Sequence, residues 1–392
     1  MTAAGAVRFP RPLTPAGAPA PQLLELARQR PVLRVVGPGG GAAWLVAGDA
    51  EVREVLADAA RFTSVTDPGV DERAGSAALM VGMDPPEHSR LRKLVVKAFS
   101  ARRIQAMVPE IERIVAGLLD EMTASGPPAD LVTSLSLPLP LAVIGRILDI
   151  PEADHGRLHE WSSVFISLTA HTSEEITTAL EQMNSYIADL VRERRAVPGN
   201  DLVSDLIRAR DGRDALSESE LAGTILLLVL AGHETTAKAI TRAGVVLGPS
   251  GALRQVAEGH VPAAQVVEEV LRCQSPIDTG LFRWAKVDTV LAGVQIKAGE
   301  QIFVSLQLAN LDPSARVEPD RFDPSRPDAR HLTFGHGIHL CLGAALARAE
   351  LTTVVSALAR RLPGLRPAVP VEELCWSVGA MLNAPVSLPV TW

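Results

Sequence analysis

The string Phe334-Gly-His-Gly-Ile-His339-Leu-Cys341-Leu-Gly343 carries the most distinctive chemistry in this 392-residue chain, because it places Cys341 among three glycines. Such a glycine content indicates a backbone held close to something flat or bulky. An apolar stretch with helical spacing follows at once, so Cys341 is predicted at or just before a helix N-terminus. Backbone N–H groups and the helix dipole favour a thiolate there. A thiolate in an apolar, glycine-rich pocket is a suitable ligand for iron.

Other interpretations of cysteine and histidine stay open from the residues alone. A buried structural cysteine suits Cys273 and Cys375, since neither has a special context, and three scattered cysteines do not form a disulfide framework. A zinc-protease helix around His233 is excluded, because the fourth residue after it is Ala237 rather than a histidine. A zinc or non-haem metal site would use the four ligating residues that cluster here: His331, His336, His339 and Cys341.

A second candidate site lies in the apolar segment Ala231-Gly-His-Glu234-Thr235-Thr236. Gly232 has no side chain, so a helix can approach a flat cofactor or widen locally at this point. The Thr235 hydroxyl can bond a backbone carbonyl or a bound ligand. Glu234 is an acid in an apolar helix, where a buried charge is costly. A helix irregularity with Glu234 turned to solvent is the alternative.

Charged residues at helical spacing form a third set. Glu269 and Arg272 are three residues apart and can pair on one helix face, as an ordinary surface pair would. His88 and Arg92 are four residues apart, which also places them on one face of a helix. Taken singly, each of these residues has a plain alternative as a surface charge or a satisfied core histidine.

In their order along the chain, these strings resemble the cytochrome P-450 superfamily. The segment from Phe334 to Gly343 matches the haem-binding loop Phe-Gly-x-Gly-x-His-x-Cys-x-Gly at every fixed position, and Glu269-Val-Leu-Arg272 matches Glu-x-x-Arg. The stretch 309–313 resembles Ala-Asn-Arg-Asp-Pro, with Leu311 in place of the common arginine and one polar contact fewer expected. The resemblance implies haem b with Cys341 thiolate as the iron ligand, which favours O–O cleavage.

The resemblance also implies roles for the other candidates. Haem propionates need cations or hydrogen-bond donors, and four residues match the family's propionate ligands: His88, Arg92, Arg283 and His339. Phe334 would shield the thiolate, while Ala231 and Gly343 would contact the haem. Thr235 would support iron-bound oxygen and water, and Glu234 would relay protons toward them. The pair formed by Glu269 and Arg272 would be buried and structural.

In this family the substrate pocket is lined by the loop before the Arg92 helix, by the helices at 160–200, by the oxygen-binding helix, by the segment after Arg272 and by the C-terminal hairpin. The residues at these places are apolar or small, which predicts an apolar organic substrate. They are Leu79, Met80, Phe165, Leu168, Leu227, Leu230, Ala231, Ile277, Leu281, Met381 and Leu382. Met80 and Met381 would provide an adaptable wall, and the Thr66–Ala78 loop would be mobile.

The implied activity is a monooxygenase reaction that uses O2 and external electrons to hydroxylate or epoxidise a small molecule. No flavin or nicotinamide domain is recognisable, so the electrons would come from NAD(P)H through a reductase and a ferredoxin. Five basic residues would form a docking face on the cysteine side, although an ordinary solvated face fits them equally well: Lys93, Lys97, Arg102, Arg103 and Arg348. Soluble bacterial members often tailor secondary metabolites, which is an argument by analogy only.

Two alternative functions stay open. The same haem site can catalyse C–C or C–N coupling without inserting oxygen. A non-catalytic haem-binding module is the other, but the intact Glu234-Thr235 pair speaks against it.

Composition narrows the class of protein. Hydrophobic residues make up 47% and charged residues 21%, as in a globular chain. The net charge of −7 argues against broad nucleic-acid binding. The longest apolar run, near Leu221–Gly232, is shorter than a membrane span of about 20 residues, and no signal peptide is recognisable. We therefore expect a cytoplasmic protein with no membrane or nucleic-acid partner and a monomer as the default state.

The elements that must position these residues are mostly helices. The strongest helix prediction begins after Ser217, which fits a capping box with Glu220, and it ends at Leu247 before Gly248-Pro249. Its roughly 45 Å would cross the centre of the molecule. A further helix is predicted from Pro262 to about Cys273.

The remaining pattern predicts a mainly α fold with a minor β part, and the resemblance implies the triangular cytochrome P-450 fold with a long central helix over the haem. A single domain is expected over residues 21–392, after a loose lead-in at 1–20. Helices are predicted at Glu51–Leu56, Ile104–Thr123, Ile176–Arg195, Asp201–Arg210 and 343–361. Short strands are predicted at Pro31–Val36, Ala43–Val46, Val287–Leu291, Val294–Ile296 and Gln301–Val304, with a hairpin at Val378–Val390.

Overall fold

Helices predominate in the fold, which is taken from a computed structural model that describes residues 7–11, 13–14, 16–65, 79–210, 216–277, 280–377 and 379–392. The predicted mobile loop Thr66–Ala78 lies outside the described residues, as does Val378 at the start of the predicted hairpin. The α-helices are α1 (Pro21–Gln29), α2 (Asp49–Ala57), α3 (Glu87–Val95), α4 (Ala101–Ser125), α5 (Pro138–Leu148), α6 (His155–Phe165), α7 (Ser173–Ala196), α8 (Leu202–Arg210), α9 (Glu218–Leu247), α10 (Ala252–Ala257), α11 (Ala263–Cys273), α12 (Leu306–Asn310) and α13 (Ala344–Arg361).

The strands are short and form three small sheets. They are β1 (Val7–Arg8), β2 (Val32–Val36), β3 (Ala42–Val46), β4 (Phe62–Thr63), β5 (Ala129–Asp130), β6 (Leu281–Ala285), β7 (Thr289–Leu291), β8 (Val294–Ile296), β9 (Gln301–Val304), β10 (Arg366–Pro367) and β11 (Pro389–Thr391). The largest sheet has the order β1-β2-β3-β9-β6-β4, the second has β10-β11-β5, and β7 pairs with β8. The predicted class, mainly α with a minor β part, is confirmed.

The longest helix, α9, has the predicted start and end. The backbone N–H of Glu220 donates to Ser217 Oγ over 3.1 Å, and the N–H of Ser217 donates to Glu220 Oε2 over 2.8 Å, so the capping box is complete. The helix is 30 residues long and ends at Leu247. Helices α5, α6, α7 and α13 all pack against it. This long buried helix is therefore the element around which the others are arranged.

Two apolar clusters meet along α9. Side chains between Leu221 and Leu230 pack with α5, α7 and α8, whereas side chains between Ala239 and Leu247 pack with α4, α11 and α13. Residues 231–236 belong to neither cluster. The segment that was singled out for its acid and hydroxyl groups therefore lies where the apolar packing is interrupted.

Two differences from the predicted elements concern short strands. The sequence pattern does not predict β6, whose partners β9 and β4 are distant in the chain. The predicted hairpin over Val378–Val390 is displaced, because Ser377 N–H donates to the Ala384 carbonyl (2.9 Å) and Val386 N–H donates to the Cys375 carbonyl (2.8 Å). Residues after this turn enter β11, which pairs with β10 and β5.

The described part of the lead-in packs on the body instead of being loose. Strand β1 pairs with β2, and the side chain of Phe9 is buried against the ring of Phe303. The carbonyl of Gly17 accepts hydrogen bonds from the buried side chains of Arg242 (2.7 Å) and Gln307 (3.1 Å). An aromatic side chain and a backbone acceptor thus hold a segment whose Ala, Pro and Gly content indicated no structure.

Candidate active site

The loop around Cys341 is closed by its own backbone. The N–H of Cys341 donates to the Phe334 carbonyl over 2.9 Å, and Gly335 and Gly337 both have positive φ, at 76° and 71°. A side chain at Gly337 would overlap the Leu56 carbonyl at the end of α2, so glycine is required there for close approach as well as for φ. Helix α13 begins three residues after Cys341, as predicted.

The electrostatics of Cys341 differ from the expectation based on the helix terminus. Its side chain is open to a cavity but otherwise enclosed by protein, and this burial raises the pKa of the thiol above its ordinary value. The N–H groups of Gly343 and Ala344 and the guanidinium groups of Arg92 and Arg348 favour the thiolate, but they do not outweigh the burial. A bound metal ion would supply the positive charge that a thiolate needs here.

Cys341 lies on the wall of a cavity with a volume of about 300 Å3. This value is at the lower end of the roughly 300–1,000 Å3 that is typical of a site for one small ligand. The wall includes α3, the middle of α9, and the chain from Thr333 to Leu351. The cavity therefore has the size of a small-molecule site.

The middle of α9 presents small groups to this cavity. Ala231 is exposed and Thr235 is half-buried within an otherwise buried stretch, and both line the cavity. The Thr235 hydroxyl donates to the Ala231 carbonyl over 2.9 Å. Gly232 also lines the cavity, but a Cβ there would meet the side chain of Ile144 on α5, so its small size serves helix packing. The helix is continuous through this segment.

Four nitrogen-bearing side chains converge near Cys341 from different elements. His88 and Arg92 come from α3, Arg283 from β6, and His339 from the turn before the cysteine. The rings of His88 and His339 have centroids 4.2 Å apart, and His339 Nε2 lies 3.1 Å from Ser64 Oγ. The structure thus brings together all four predicted propionate ligands.

None of these four groups forms an ion pair in the described part of the chain, although the carboxylate of Asp84 acts on His88, Arg283 and His339 at longer range. Both ring nitrogens of His88 are buried without a hydrogen-bond partner there, and the buried Arg283 guanidinium donates to the Phe282 carbonyl but contacts no carboxylate. Burial lowers the pKa of Arg283 to about 10. Burial, together with the charges of Arg283 and Arg92, also lowers the pKa of His88 and takes that of His339 to about 3. A ligand with two carboxylates, such as haem, fits this cluster.

Glu234 does not line the cavity, although it precedes Thr235. Its buried carboxylate faces α6, where Oε1 lies 2.7 Å from His159 Nδ1, while Oε2 lies 3.9 Å from Lys238 Nζ. Burial opposes ionisation, but the contacts with His159 and His233 outweigh it and hold the pKa of Glu234 far below its ordinary value. The two predicted catalytic residues therefore point in different directions in this structure.

Glu269 and Arg272 form a fully buried bidentate pair, with both N–O distances at 2.7 Å. Glu269 also accepts from the backbone N–H of Asp323 (2.8 Å), and Arg272 donates to the carbonyls of Asn310, Pro319 and Arg321. This network joins α11 to the chain after α12. The pair is buried and connects two segments of the chain, which agrees with the structural role that the resemblance implies.

The neighbouring segment orients the chain that leads to the cysteine. Asn310 accepts from the Leu332 N–H (2.7 Å) and donates to Thr333 Oγ1 (2.8 Å), and that hydroxyl donates to the Leu271 carbonyl. Leu311, which replaces the family's common arginine, is buried. In this segment Asn310 therefore makes the polar connection to the chain before the cysteine loop.

The predicted substrate residues divide into two groups. Those that line the cavity are Met80, Leu227, Ala231, Ile277 and Leu281. Those that do not line it are Leu79, Phe165, Leu168, Leu230, Met381 and Leu382. Leu79 and Leu230 belong to the apolar cluster between α5, α7 and α9, because the opposite face of each element is the one turned to the cavity. The segments that carry Leu168 and Met381 are joined by a β-bridge between residues 167 and 380. A second β-bridge joins Leu382 to the cavity residue Ile277.

The predicted basic face is partly engaged in ion pairs. Arg348 binds Glu268 through two contacts of 2.7 and 2.9 Å and lies over the Phe334 ring, while Arg103 contacts Asp205 at 2.8 Å. Lys93 and Arg102 are exposed. The side chain of Lys97 lies outside the described residues. Phe334 is therefore held by Arg348 on one side of the cysteine loop.

The alternative metal site of His331, His336, His339 and Cys341 does not form. In the described ranges these residues are not gathered as a ligand group. His331 instead lies 3.3 Å from Glu268, and His339 contacts Ser64.

Three residues of interest are missed by the sequence analysis: Ser64, His159 and Glu350. Ser64 and His159 have no sequence signal, because their partners His339 and Glu234 are distant in the chain. Glu350 does have a sequence signal: it is an acidic residue four positions after Leu346, on the apolar face of α13, where a charged side chain is unusual. It lines the cavity, and burial raises the pKa of its carboxyl to about 8.

None of the described helices is long and apolar enough to span a membrane.

Comparisons with known proteins agree over nearly the whole chain. The family model described as Cytochrome P450 matches residues 263–363. Nocardicin C N-oxygenase of Nocardia uniformis subsp. tsuyamanensis is 42% identical over 382 residues, covering 95% of each chain. Mycinamicin IV hydroxylase/epoxidase of Micromonospora griseorubida is 42% identical over 374 residues, covering 94% of each. The crystal structure of the LnmA cytochrome P450 hydroxylase from the leinamycin biosynthetic pathway of Streptomyces atroolivaceus S-140 has a TM-score of 0.88 and 38% identity, covering 99% of this chain and 100% of LnmA.

Proposed function

Because this chain belongs to the cytochrome P450 family and is a monooxygenase of that family, we propose that it hydroxylates or epoxidises an apolar small molecule with O2 and ferredoxin-derived electrons. The membership confirms the predicted family, fold class and enzyme class. The observation that carries the cofactor assignment is the cluster of nitrogen-bearing side chains near Cys341, none of which forms an ion pair with a described residue. A haem supplies both missing parts, a metal ion for the thiolate and two carboxylates for the cluster.

The chain's own residues would hold haem b from three sides. Cys341 would ligate the iron, and the haem would supply the oxygen-activating chemistry. Arg92, Arg283, His88 and His339 would bind the propionates, with Ser64 fixing the ring of His339. Ala231 and Gly343 would border the cofactor because both line the cavity.

Thr235 and Glu234 would act at two successive points of one proton path, Glu234 on the α6 side and Thr235 in the cavity. The Thr235 hydroxyl is in the cavity, where it can exchange its bond to the Ala231 carbonyl for one to a bound molecule. Glu234 is on the α6 side, next to His159 and Lys238, whose side chains are partly exposed. Rotation of the Glu234 side chain away from His159 and His233 would remove the contacts that keep its pKa low, so that the carboxylate could take up a proton from solvent on the α6 side and pass it toward Thr235.

The cavity wall supports an apolar substrate. Its apolar lining includes Met80, Val81, Leu227, Leu228, Ile277 and Leu281, and its polar lining includes Thr224, Thr235 and Thr236. The named relatives act on nitrogen in one case, by N-oxygenation, and by hydroxylation or epoxidation in the other. LnmA, which resembles this chain, comes from a biosynthetic pathway. We therefore propose that this chain also acts in the biosynthesis of a secondary metabolite.

Electrons would come from NAD(P)H through a reductase and a ferredoxin that approaches the cysteine side. Lys93, Arg102 and Arg103 are exposed cations of the predicted face, and an acidic partner would be steered toward them.

The first test is the visible spectrum of the purified, reduced protein under carbon monoxide. We expect one haem per chain and the strongly red-shifted Soret band of a thiolate ligand, which should be lost in Cys341→His. A Soret band at the position of histidine-ligated haem in the wild-type protein would contradict the thiolate assignment.

The second test follows oxygen atoms. With a surrogate ferredoxin and reductase, an apolar compound that shifts the Soret band should give a product with one labelled oxygen atom from labelled O2. A coupled product without the label would replace hydroxylation or epoxidation by oxidative coupling.

A further inference from the structure

A second group of metal-binding side chains lies between α6 and α9, away from Cys341. His159 of α6 and His233 and Glu234 of α9 each offer one donor atom, and these three atoms all lie within 4.8 Å of one another. Two of the residues are completely buried, and His159 is about one-third exposed at its side chain. Two imidazoles and one carboxylate form a donor set that binds zinc and other divalent transition metals.

The three donor atoms contact one another, but no other group in the described part of the chain completes their hydrogen bonds. His159 Nδ1, His233 Nε2 and Glu234 Oε1 are all buried, and none makes a hydrogen bond of suitable geometry within the described residues. The 2.7 Å approach of His159 Nδ1 to Glu234 Oε1 is therefore a contact without hydrogen-bond angles. Three orphaned polar atoms at one point indicate a missing partner, since buried polar groups are normally satisfied.

The spacing of the donors suits a metal ion. Zinc–nitrogen and zinc–oxygen bonds of about 2.0–2.2 Å place tetrahedral donors about 3.3 Å apart. The observed separations from Glu234 Oε1 are 2.7 Å to His159 Nδ1 and 3.6 Å to His233 Nε2. Shifts of under about 1 Å in side chains would make both separations equal to that value.

A hydrogen bond to the backbone fixes the tautomer of one proposed ligand, His233. His233 Nδ1 lies 2.8 Å from the Val229 carbonyl, so this nitrogen carries the proton and Nε2 keeps its lone pair for a metal. The partly exposed side chains of His159 and Lys238 leave an entry path for an ion and a water as a fourth ligand.

We propose that His159, His233 and Glu234 form a binding site for a zinc-class divalent metal ion between α6 and α9. The positive charge of Lys238, 3.9 Å from Glu234 Oε2, weakens this binding and keeps the site reversible. A bound ion would occupy Glu234 and fasten α6 to α9, so it would inhibit turnover. This last consequence rests on the proposed role of Glu234 in proton transfer, whereas the binding itself does not.

The test is a calorimetric titration of the haem-loaded, chelator-treated protein with Zn2+. We expect one ion per chain with a Kd of about 1 μM or lower. His159→Gln should weaken binding about 100-fold or more, and Lys238→Gln should tighten it about threefold or more. The reduced carbon monoxide spectrum must be unchanged in each variant, which shows that the haem site is intact.

The matched control is His260→Gln, because His260 is an exposed histidine 3.3 Å from the carboxylate of Glu258. Its titration should equal that of the wild-type protein. Equal binding by wild type and His159→Gln, or loss of binding in His260→Gln, would overturn the proposal. Zinc-edge absorption spectroscopy adds a readout independent of turnover: nitrogen and oxygen neighbours support the site, and a sulfur neighbour overturns it.

Discussion

Two buried clusters of charged and polar groups differ in how completely their hydrogen bonds and charges are satisfied. In the first, Glu269 and Arg272 pair bidentately, and their remaining hydrogen bonds are made with backbone groups of the chain after α12. In the second, Arg283 and His88 are also buried, but neither forms an ion pair with a described residue.

The difference separates a structural network from a binding site. A buried charge is expensive unless it is paired and hydrogen-bonded, so a satisfied cluster explains itself within the fold. An unsatisfied cluster that borders a cavity, as this one does through His88, Arg92 and His339, implies a ligand that completes it. The same argument, applied to His159, His233 and Glu234, gives the second metal site.

The largest effect is expected from breaking the satisfied cluster. Glu269→Ala leaves the Arg272 guanidinium buried without its partner, which should lower the free energy of unfolding by about 3–5 kcal/mol. Chemical denaturation of the haem-loaded protein measures it. Glu258→Gln, at an exposed position, is the matched control and should be neutral. A loss of under about 1 kcal/mol in Glu269→Ala would contradict the structural role.

The next effect concerns Glu350, an acid with a buried Oε2 that lacks a partner among the described residues. Burial raises its pKa from the ordinary 4.5 to about 8, so the unfolded chain loses this proton at a lower pH than the folded chain does. Stability should therefore fall as pH rises from about 4.5 to about 8, by up to about 1.4 kcal/mol per pH unit.

Glu350→Gln tests this pH dependence. The amide cannot ionise, so the variant should be more stable than the wild-type protein at about pH 8 and differ little at about pH 5. Denaturation curves at the two pH values give the comparison. Identical pH profiles for the two proteins would mean that Glu350 has a partner in solution.

The third effect removes a cation from the unsatisfied cluster. Arg283→Met takes away a buried charge that lacks an anion, so the polypeptide should not lose stability as it does in Glu269→Ala. Haem binding should weaken by about 100-fold, because a charge-assisted contact of about 1.5–3 kcal/mol is lost. The rate of haem transfer to excess apomyoglobin measures this. An unchanged rate would show that Arg283 does not hold the cofactor.

The smallest effect is expected at Thr235, which is not part of either cluster. Thr235→Val keeps the shape but removes the hydroxyl, so the fraction of NADH consumption that yields product should fall about tenfold or more. Thr236→Val, at the neighbouring position, is the control. Haem content and the Soret band should be unchanged in both. Equal coupling in the two variants would remove Thr235 from its proposed role.

Local patterns were sufficient for much of the fold and of the site. The limits of α9 follow from Ser217, Glu220 and Gly248, all of which act within one or two helical turns. The cysteine loop was also predictable, because its glycines and its cysteine are contiguous. Strand β6 was missed because its partners β4 and β9 are nonlocal, although this strand is what positions Arg283.

The direction of side chains was the other limit. Glu234 and Thr235 were expected to act at one place, yet adjacent helical residues differ by about 100° around the axis. Only the packing of α6 against α9 determines that His159 takes the carboxylate. The pKa of Cys341 depends in the same way on enclosure by distant segments, which the helix N-terminus alone does not reveal.

The turn that pairs residues 375–377 with 384–386 provides a place to attach a reporter. All three cysteines are free thiols, but Cys273 is buried with a pKa of about 12, and Cys341 would be bound to iron in the loaded protein. Cys375 is exposed, so a maleimide fluorophore would modify this thiol selectively. The same turn carries Leu382, which pairs with the cavity residue Ile277, so the emission of the attached dye would follow the entry of candidate substrates.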